Sequence, residues 1–333
     1  MPKSNPTKLL LLNTIGLTNV EVILAKLAKY KEVLALPGQN FGVFDHNLYR
    51  PHDYSNWDSI DIFNSLSRNL YTKNGRIWMG LTKHMNQRQK DSYSKDKHSK
   101  IFIEKLGPKQ DFINIIKCYI VSFYNSYGID TNDSKYATWF SNNVLLCHKH
   151  YPRFEKEVKV IHVSSEISRW LTVISHTRTW NCVDATKFWI LNNLYANNYL
   201  NKNPGNIAIY SNEVIDNPEI SMKKIEDFLS INSSDLRDDY HGNGFIDINN
   251  DLLNKQKQIS YKIIDIYKGN KWYQIANTFE EWNSEFLEKN ETQNLLKDFS
   301  EFWNTTSHTN FDWIGPIGDQ LMDHLINFIK VKE

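Results

Sequence analysis

The sequence predicts a three-layer α/β/α protein with a central parallel sheet, and three observations predict it. Short runs that are apolar throughout recur along the chain, the pattern of strands buried on both faces. Segments with apolar residues at helical spacing lie between those runs. No internal repeat and no linker divides the 333 residues, so a single domain over 1–333 is expected, with 40–100 as a variable cap and 252–333 as a helical C-terminal part.

Lys8 to Leu12 reads as the first buried strand. Gly16 breaks it, Asn19 is a candidate N-cap, and Val20, Ile23, Leu24, Leu27 and Ala28 recur at helical spacing up to Tyr30. Val33 to Leu36 is a second short strand, stopped by Pro37-Gly38. Strand, tight loop, helix and strand together open a βαβ unit. Asn40 to Lys100 is polar, aromatic and irregular, and is expected to form helices and loops above the sheet. Asp111 to Tyr127 reads as helix, and so does Trp139 to His150. Lys159 to Val163 is a further buried strand, followed by a helix through Arg169 and Ile174. Ala185 to Leu200 is a long helix, Ile207 to Tyr210 a strand, and Ile220 to Leu229 a helix. From Leu252 onward the chain reads mainly helical.

Composition removes several classes of function. Lys and Arg number 39 against 38 Asp and Glu, so there is no global field for nucleic acid or an anionic membrane, and any anion needs a local site. Three cysteines far apart (Cys118, Cys147, Cys182) make no disulfide framework, which fits a reducing, cytoplasmic setting. The apolar run Leu9 to Leu12 is too short for a signal-peptide core or a membrane span. Ten Trp suit either core packing or a sugar-binding face, and packing is the commoner use.

Familiar chemical motifs are missing. The chain has no G-x-x-x-x-G-K-[ST] and no strand-borne G-x-G-x-x-G, and Gly242-Asn243-Gly244 is a turn in a polar loop. Asp247, Asn249 and Asp251 imitate the start of a calcium loop, but Leu252 and Gln258 stand where glycine and glutamate are required. Cys147, His148 and His150 lack a distant partner pair, so no metal is expected. The loop between Leu12 and Val20 carries the stronger signal. A loop from a parallel strand into a helix presents free N–H groups beside the positive helix end, which suits phosphate. Every βα unit has such a loop, and most bind nothing.

Three stretches resemble the sulfotransferase family. Asn206 to Ser230 is similar to the late segment where a strand ends in a tyrosine–acid pair and a turn leads into a helix, with Tyr210, Glu213, Asn217-Pro218 and Phe228-Leu229 keeping the pattern. Lys159 to Ser175 is similar to the strand and helix carrying the 3′-phosphate arginine and serine, and Leu9 to Val33 aligns with the 5′-phosphosulfate loop. The resemblance covers roughly two thirds of the chain and implies a P-loop-like α/β fold, 3′-phosphoadenosine 5′-phosphosulfate (PAPS) as donor, and a carbohydrate or small-molecule acceptor. It carries Gly16, Thr18, Asn19, Ser165, Arg169, Thr172, Ser175 and Arg178 over as candidate cofactor residues.

The departures fall on the charged contacts. Where the family loop reads like Arg-Ser-Gly-Thr-Thr, this chain has Leu17-Thr18-Asn19-Val20-Glu21, and Ser165 holds the arginine's place. The expected lysine falls near Phe140, and a glutamate base used in part of the family falls at Pro37 to Gln39. Each lost charge-assisted contact is worth ~1.5–3 kcal/mol. Arg169 and Arg178 are the candidate replacements, with Arg50, Arg76, His162 and His176 behind them; a solvated surface cation is the plainer reading of each. His46 and His52, beside Asp45 and Asp53, are the candidate bases, since an imidazole can take a hydroxyl proton near neutral pH. They also read as incidental histidines of a polar loop. Two functions remain open: sulfuryl transfer to a hydroxyl or amine, or non-catalytic binding on the same scaffold.

Overall fold

The computed structural model describes residues 8–15, 20–37, 57–67, 70–71, 77–79, 85, 87–107, 111–142, 144–147, 153–177, 181–232, 236, 269–305 and 315–332. Strand β1 (Lys8–Thr14) leads into α1 (Val20–Leu27), β2 (Val33–Ala35) and α2 (Ser59–Leu66). A short antiparallel pair, β3 (Leu70–Tyr71) and β4 (Ile77–Met79), precedes α3 (Gln87–Ser92), α4 (Lys95–Leu106) and α5 (Phe112–Ser126). Then come β5 (Tyr136–Asn142), α6 (Val144–Cys147), α7 (Phe154–Glu157), β6 (Val158–Ser164), α8 (Ile167–Thr177), α9 (Cys182–Lys202) and β7 (Ile207–Tyr210). Helices α10 (Ser211–Asp216) and α11 (Pro218–Leu229) follow. The described C-terminal part is helical: α12 (Lys271–Asn277), α13 (Phe279–Leu287), α14 (Asn290–Thr305) and α15 (Gly315–Lys332).

Five strands form one all-parallel sheet in the order β2-β5-β1-β6-β7. The apolar runs explain its centre. Leu9 to Leu12 of β1 are at most 1% exposed, flanked by β5 and β6 in continuous register. Burying one such leucine stabilises the fold by about 1.5–3 kcal/mol as an upper figure. As predicted, the strands at Lys8 to Leu12, Lys159 to Val163 and Ile207 to Tyr210 are neighbours.

Alternation along each strand sorts its side chains between two helical layers. Asn13, His162 and Ser164 face α9, through His162–Asn193 and Ser164–Asn193 bonds. Trp139 meets Phe112 of α5 on that same side, ring centroids 6.5 Å apart. Tyr136 and Lys159 face α11 instead. The Tyr136 hydroxyl donates to the Leu229 carbonyl, the Lys159 ammonium to that of Phe228, and the Lys135 ammonium to that of Ser230, each at 3.0 Å. Three donors thus meet carbonyls at the α11 C-terminus, where a helix lacks internal partners and its dipole favours cations. Lys159 also lies 4.5 Å over the Phe228 ring, and burial lowers its pKa.

Both edges of the sheet carry a side chain on the backbone. In β2, the Tyr124 hydroxyl accepts from the Ala35 N–H and donates to the Ala35 carbonyl, both at 2.9 Å. In β7, the Ala208 carbonyl accepts from Lys224 at 3.3 Å.

Two expectations need correction. The sequence predicts helix over Trp139 to His150, but Tyr136–Asn142 is the strand β5, and only Val144–Cys147 is helical in the described part. Ala137, Thr138, Trp139, Phe140 and Ser141 are all buried, beside β1 throughout and β2 in part, and the two polar ones, Thr138 and Ser141, lie three apart, so they mark no period of two. Asn40 to Lys100 is expected to hold helices and loops; it also holds the β3–β4 pair.

Candidate functional site at the carboxyl edge of the sheet

The strand order fixes where a ligand crevice forms. From β1 the chain goes toward β2 on one side, and from β6 it goes to β7 on the other. Ligands of open α/β sheets sit outside the carboxyl ends of strands at such a switch point. Here it lies between Thr14 at the end of β1 and Ser164-Ser165 at the end of β6. A cleft of about 350 Å³ lined by Lys8, Lys156, Lys159 and Lys202, with Glu155 and Glu157, lies at the opposite, amino-terminal end of the strands.

Beneath the switch point runs a buried polar relay. Asn13 Nδ2 is 2.9 Å from His162 Nδ1, and His162 Nε2 is 3.1 Å from Asn193 Oδ1. The Ser164 hydroxyl donates to the same Asn193 oxygen at 2.8 Å, and Asn193 Nδ2 donates to the Trp189 carbonyl at 2.8 Å. The Trp189 indole N–H donates to the Ser165 carbonyl at 2.8 Å, tying α9 to the end of β6. Burial pulls the His162 pKa down to about 4, against the smaller opposing effect of its hydrogen bonds. His162, a candidate cation by sequence, is therefore a neutral core residue with both ring nitrogens partnered.

The other sequence candidates divide. Ser165 sits at the crevice, 5% exposed, and its hydroxyl has no partner among the described residues. Thr172 is buried on α8 and donates its hydroxyl proton to the Ser168 carbonyl at 2.8 Å. Arg169 lies on α8 but is held by Asp216 at 2.8 Å and Glu166 at 3.6 Å. Glu166 in turn accepts from Asn212 at 3.0 Å. Ser175 is a residue of α8. Gly16, Thr18, Asn19, Arg178, His46 and His52 lie outside the described residues, as do Arg50 and Arg76. Glu21 stands in the first turn of α1, where it meets the positive end of that helix.

Sequence reasoning places Asn13 in the loop after Leu12, whereas it belongs to β1, and misses Asn193. The available signal for Asn13 is a polar residue closing an otherwise apolar strand. For Asn193 there is none, since a single asparagine inside a long helix is unremarkable until β6 brings His162 against it.

The architecture is an all-parallel five-stranded sheet flanked by helices, the α/β class that the sequence predicts. No protein-family model and no curated protein matches the chain. Among solved structures it is similar to the "Sulfotransferase Domain from the Curacin Biosynthetic Pathway", with 12% identity and a TM-score of 0.47, over 84% of this chain and 99% of that one. A likeness this distant leaves the functional reading to the chain's own site. Among the described residues, no helix is long and apolar enough to cross a membrane, and no group of three His, Cys, Asp or Glu side chains could hold a metal ion.

Against PAPS, the described groups fit in part. The Ser165 hydroxyl, without a partner among the described residues, and the buried Asn13 amide can serve a nucleoside's uncharged groups. The charge is unmatched: Arg169 would have to exchange two carboxylates for a phosphate, and Glu21 adds a negative charge to the first turn of α1.

Proposed function

We propose that this chain is a sulfotransferase-like protein. It takes PAPS across the carboxyl ends of β1 and β6 and passes a sulfuryl group to a hydroxyl or amine of a sugar or small metabolite. The observation that carries this reading is topological. The three segments resembling the family are adjacent parallel strands, and the two resembling its phosphate-binding segments end on either side of the switch point. We assign all of 1–333 to one such domain in a cytoplasmic setting, with 40–100 over the carboxyl edge and 252–333 as its helical C-terminal part.

PAPS, when bound, supplies the sulfuryl group and a nucleotide leaving group. This chain's part is to hold the nucleotide through Ser165 and the loop 16–19, with His46 or His52 taking the acceptor's proton. Arg169 reaches a phosphate only by first leaving Asp216 and Glu166.

Calorimetry with 3′-phosphoadenosine 5′-phosphate tests the reading without knowledge of the acceptor. Saturable binding is expected. Arg169→Ala should weaken it by ~1.5–3 kcal/mol if the arginine turns from Asp216 to the phosphate. Absence of binding favours the second reading, a non-catalytic binding protein on this scaffold. The specific observations behind that reading are the Arg169–Asp216 pair and Glu21 in the first turn of α1.

A further inference from the structure

The relay around His162 has a direction, and it can be read from one end. Asn193 Nδ2 donates to the Trp189 carbonyl, which makes Oδ1 the acceptor of that amide. The oxygen receives the Ser164 hydroxyl and His162 Nε2, so Nε2 carries the imidazole proton. Burial keeps the ring neutral, and Nδ1 is left with a lone pair that can only accept. Asn13 must then turn Nδ2 toward it, as found at 2.9 Å. Flipping the Asn13 amide would set oxygen lone pairs against the nitrogen lone pair.

The outcome is an Asn13 Oδ1 that looks away from His162 and has no hydrogen-bond partner among the described residues. The residue is 4% exposed and is the last but one of β1, at the switch point. A buried carbonyl oxygen left without a donor is rare, because its lost hydration is not made good. Arg169, the described arginine among the sequence's candidate cations, is held by two carboxylates.

We propose that Asn13 Oδ1 is a specificity group of the switch-point crevice, receiving a hydrogen from a hydroxyl or amine on a neutral, nucleoside-like part of the ligand rather than facing an oxyanion. His162 is a positioning residue that acts through Asn13. This rests on the reading that a ligand binds across β1 and β6, and deepens it by dividing the site. An uncharged donor of the ligand belongs at Asn13 Oδ1, and its anionic groups belong elsewhere in the crevice.

The test is calorimetric titration of the full chain with adenosine, 3′-phosphoadenosine 5′-phosphate and inorganic pyrophosphate. Asn13→Leu should weaken both adenosine ligands roughly tenfold or more, while pyrophosphate changes by less than about twofold. His162→Leu should weaken adenosine similarly, and His162→Gln, whose side-chain oxygen can accept from Asn13, should restore most of the loss. Equal loss of pyrophosphate and adenosine in Asn13→Leu overturns the proposal, and so does unchanged adenosine affinity. If the parent protein binds none of the three, the sulfotransferase reading fails by itself. The Asn13 assignment is then decided by a crystal structure of the unliganded parent chain, as it is if the variants do not fold. An ordered water donating to Asn13 Oδ1 upholds it, and a backbone N–H of the chain's own filling that position overturns it.

Discussion

His162 and His98 are both buried imidazoles with both nitrogens engaged, yet their surroundings end differently. On α4, His98 Nδ1 accepts from the Tyr93 hydroxyl at 2.9 Å, and Nε2 donates to the Tyr119 carbonyl at 3.1 Å. The Tyr119 hydroxyl pairs with Ser67 at 2.9 Å, and Phe63 packs edge-on at 4.9 Å. Each link finds its partner, and the relay joins α2, α4 and α5 into one layer. Around His162 the same logic runs from Trp189 to Asn13 and stops at an unpartnered oxygen. A closed relay holds a fold together. An open one, at a switch point, is where the proposed ligand would complete the set.

Acid gives the largest expected effect on this comparison. Burial lowers His98 to about 3 and His162 to about 4, below the ordinary value of 6.5. The unfolded chain therefore binds more protons between pH 6.5 and about 4, so stability is full above 6.5 and falls as pH drops through that window. The loss should be on the order of 3 kcal/mol for each histidine. Urea unfolding at pH 7 and pH 4.5 measures it, and a His98→Leu or His162→Leu variant should each show a flatter pH dependence. An unchanged slope in either variant would remove that histidine from the account.

Matched hydroxyl deletions sharpen the contrast. Tyr93→Phe leaves His98 Nδ1 without a donor in a closed site, and should cost about 1–3 kcal/mol by chemical denaturation. Ser164→Ala removes one of two donors to Asn193 Oδ1 while His162 still serves it, so about 0.5–1.5 kcal/mol is expected. If Ser164→Ala proved the costlier, the His162 relay would be the more structural of the two.

Arg153 gives the smallest effect. It adopts φ 67° before α7 and pairs with Asp111 at 2.8 Å and Glu157 at 2.6 Å. Half-exposed pairs are worth ~0.2–1 kcal/mol each, and a glycine would relieve the left-handed backbone by a similar amount. Arg153→Gly should thus unfold within about 0.5 kcal/mol of the parent, and Arg153→Ala about 1 kcal/mol below it.

The sheet is legible in the sequence because a strand buried on both faces must be apolar along its length, as Leu9 to Leu12 and Lys159 to Val163 nearly are. β5 is not, because Trp139, Phe140 and the residues around them suit a buried helix equally well until β1 and β2 are known to flank them. The site is less legible still. Ser165 is reached only through the family pattern. The partners of Arg169 come from Glu166 and from Asp216, 47 residues away beyond β7, a proximity that exists only after folding. Asn13, His162 and Asn193 likewise span three elements, and their protonation and amide orientation follow from the Trp189 carbonyl, which no local pattern encodes.

The hydroxyl of Tyr124 bears on how molecules of this protein meet one another. An outermost strand with vacant backbone groups is a template on which another chain can lengthen the sheet, the first step toward fibres and precipitates. β2 is three residues long, and at Ala35 both groups are occupied by one phenol. A newcomer would have to evict that ring before it could hydrogen-bond at this residue. At the far edge, Lys224 sets its ammonium on the carbonyl of Ala208, so an approaching strand would meet a charge it must strip of water. With a net charge of only +1, the chain has little mutual repulsion to keep its copies apart in a crowded solution. These two side chains guard the sheet where overall charge cannot.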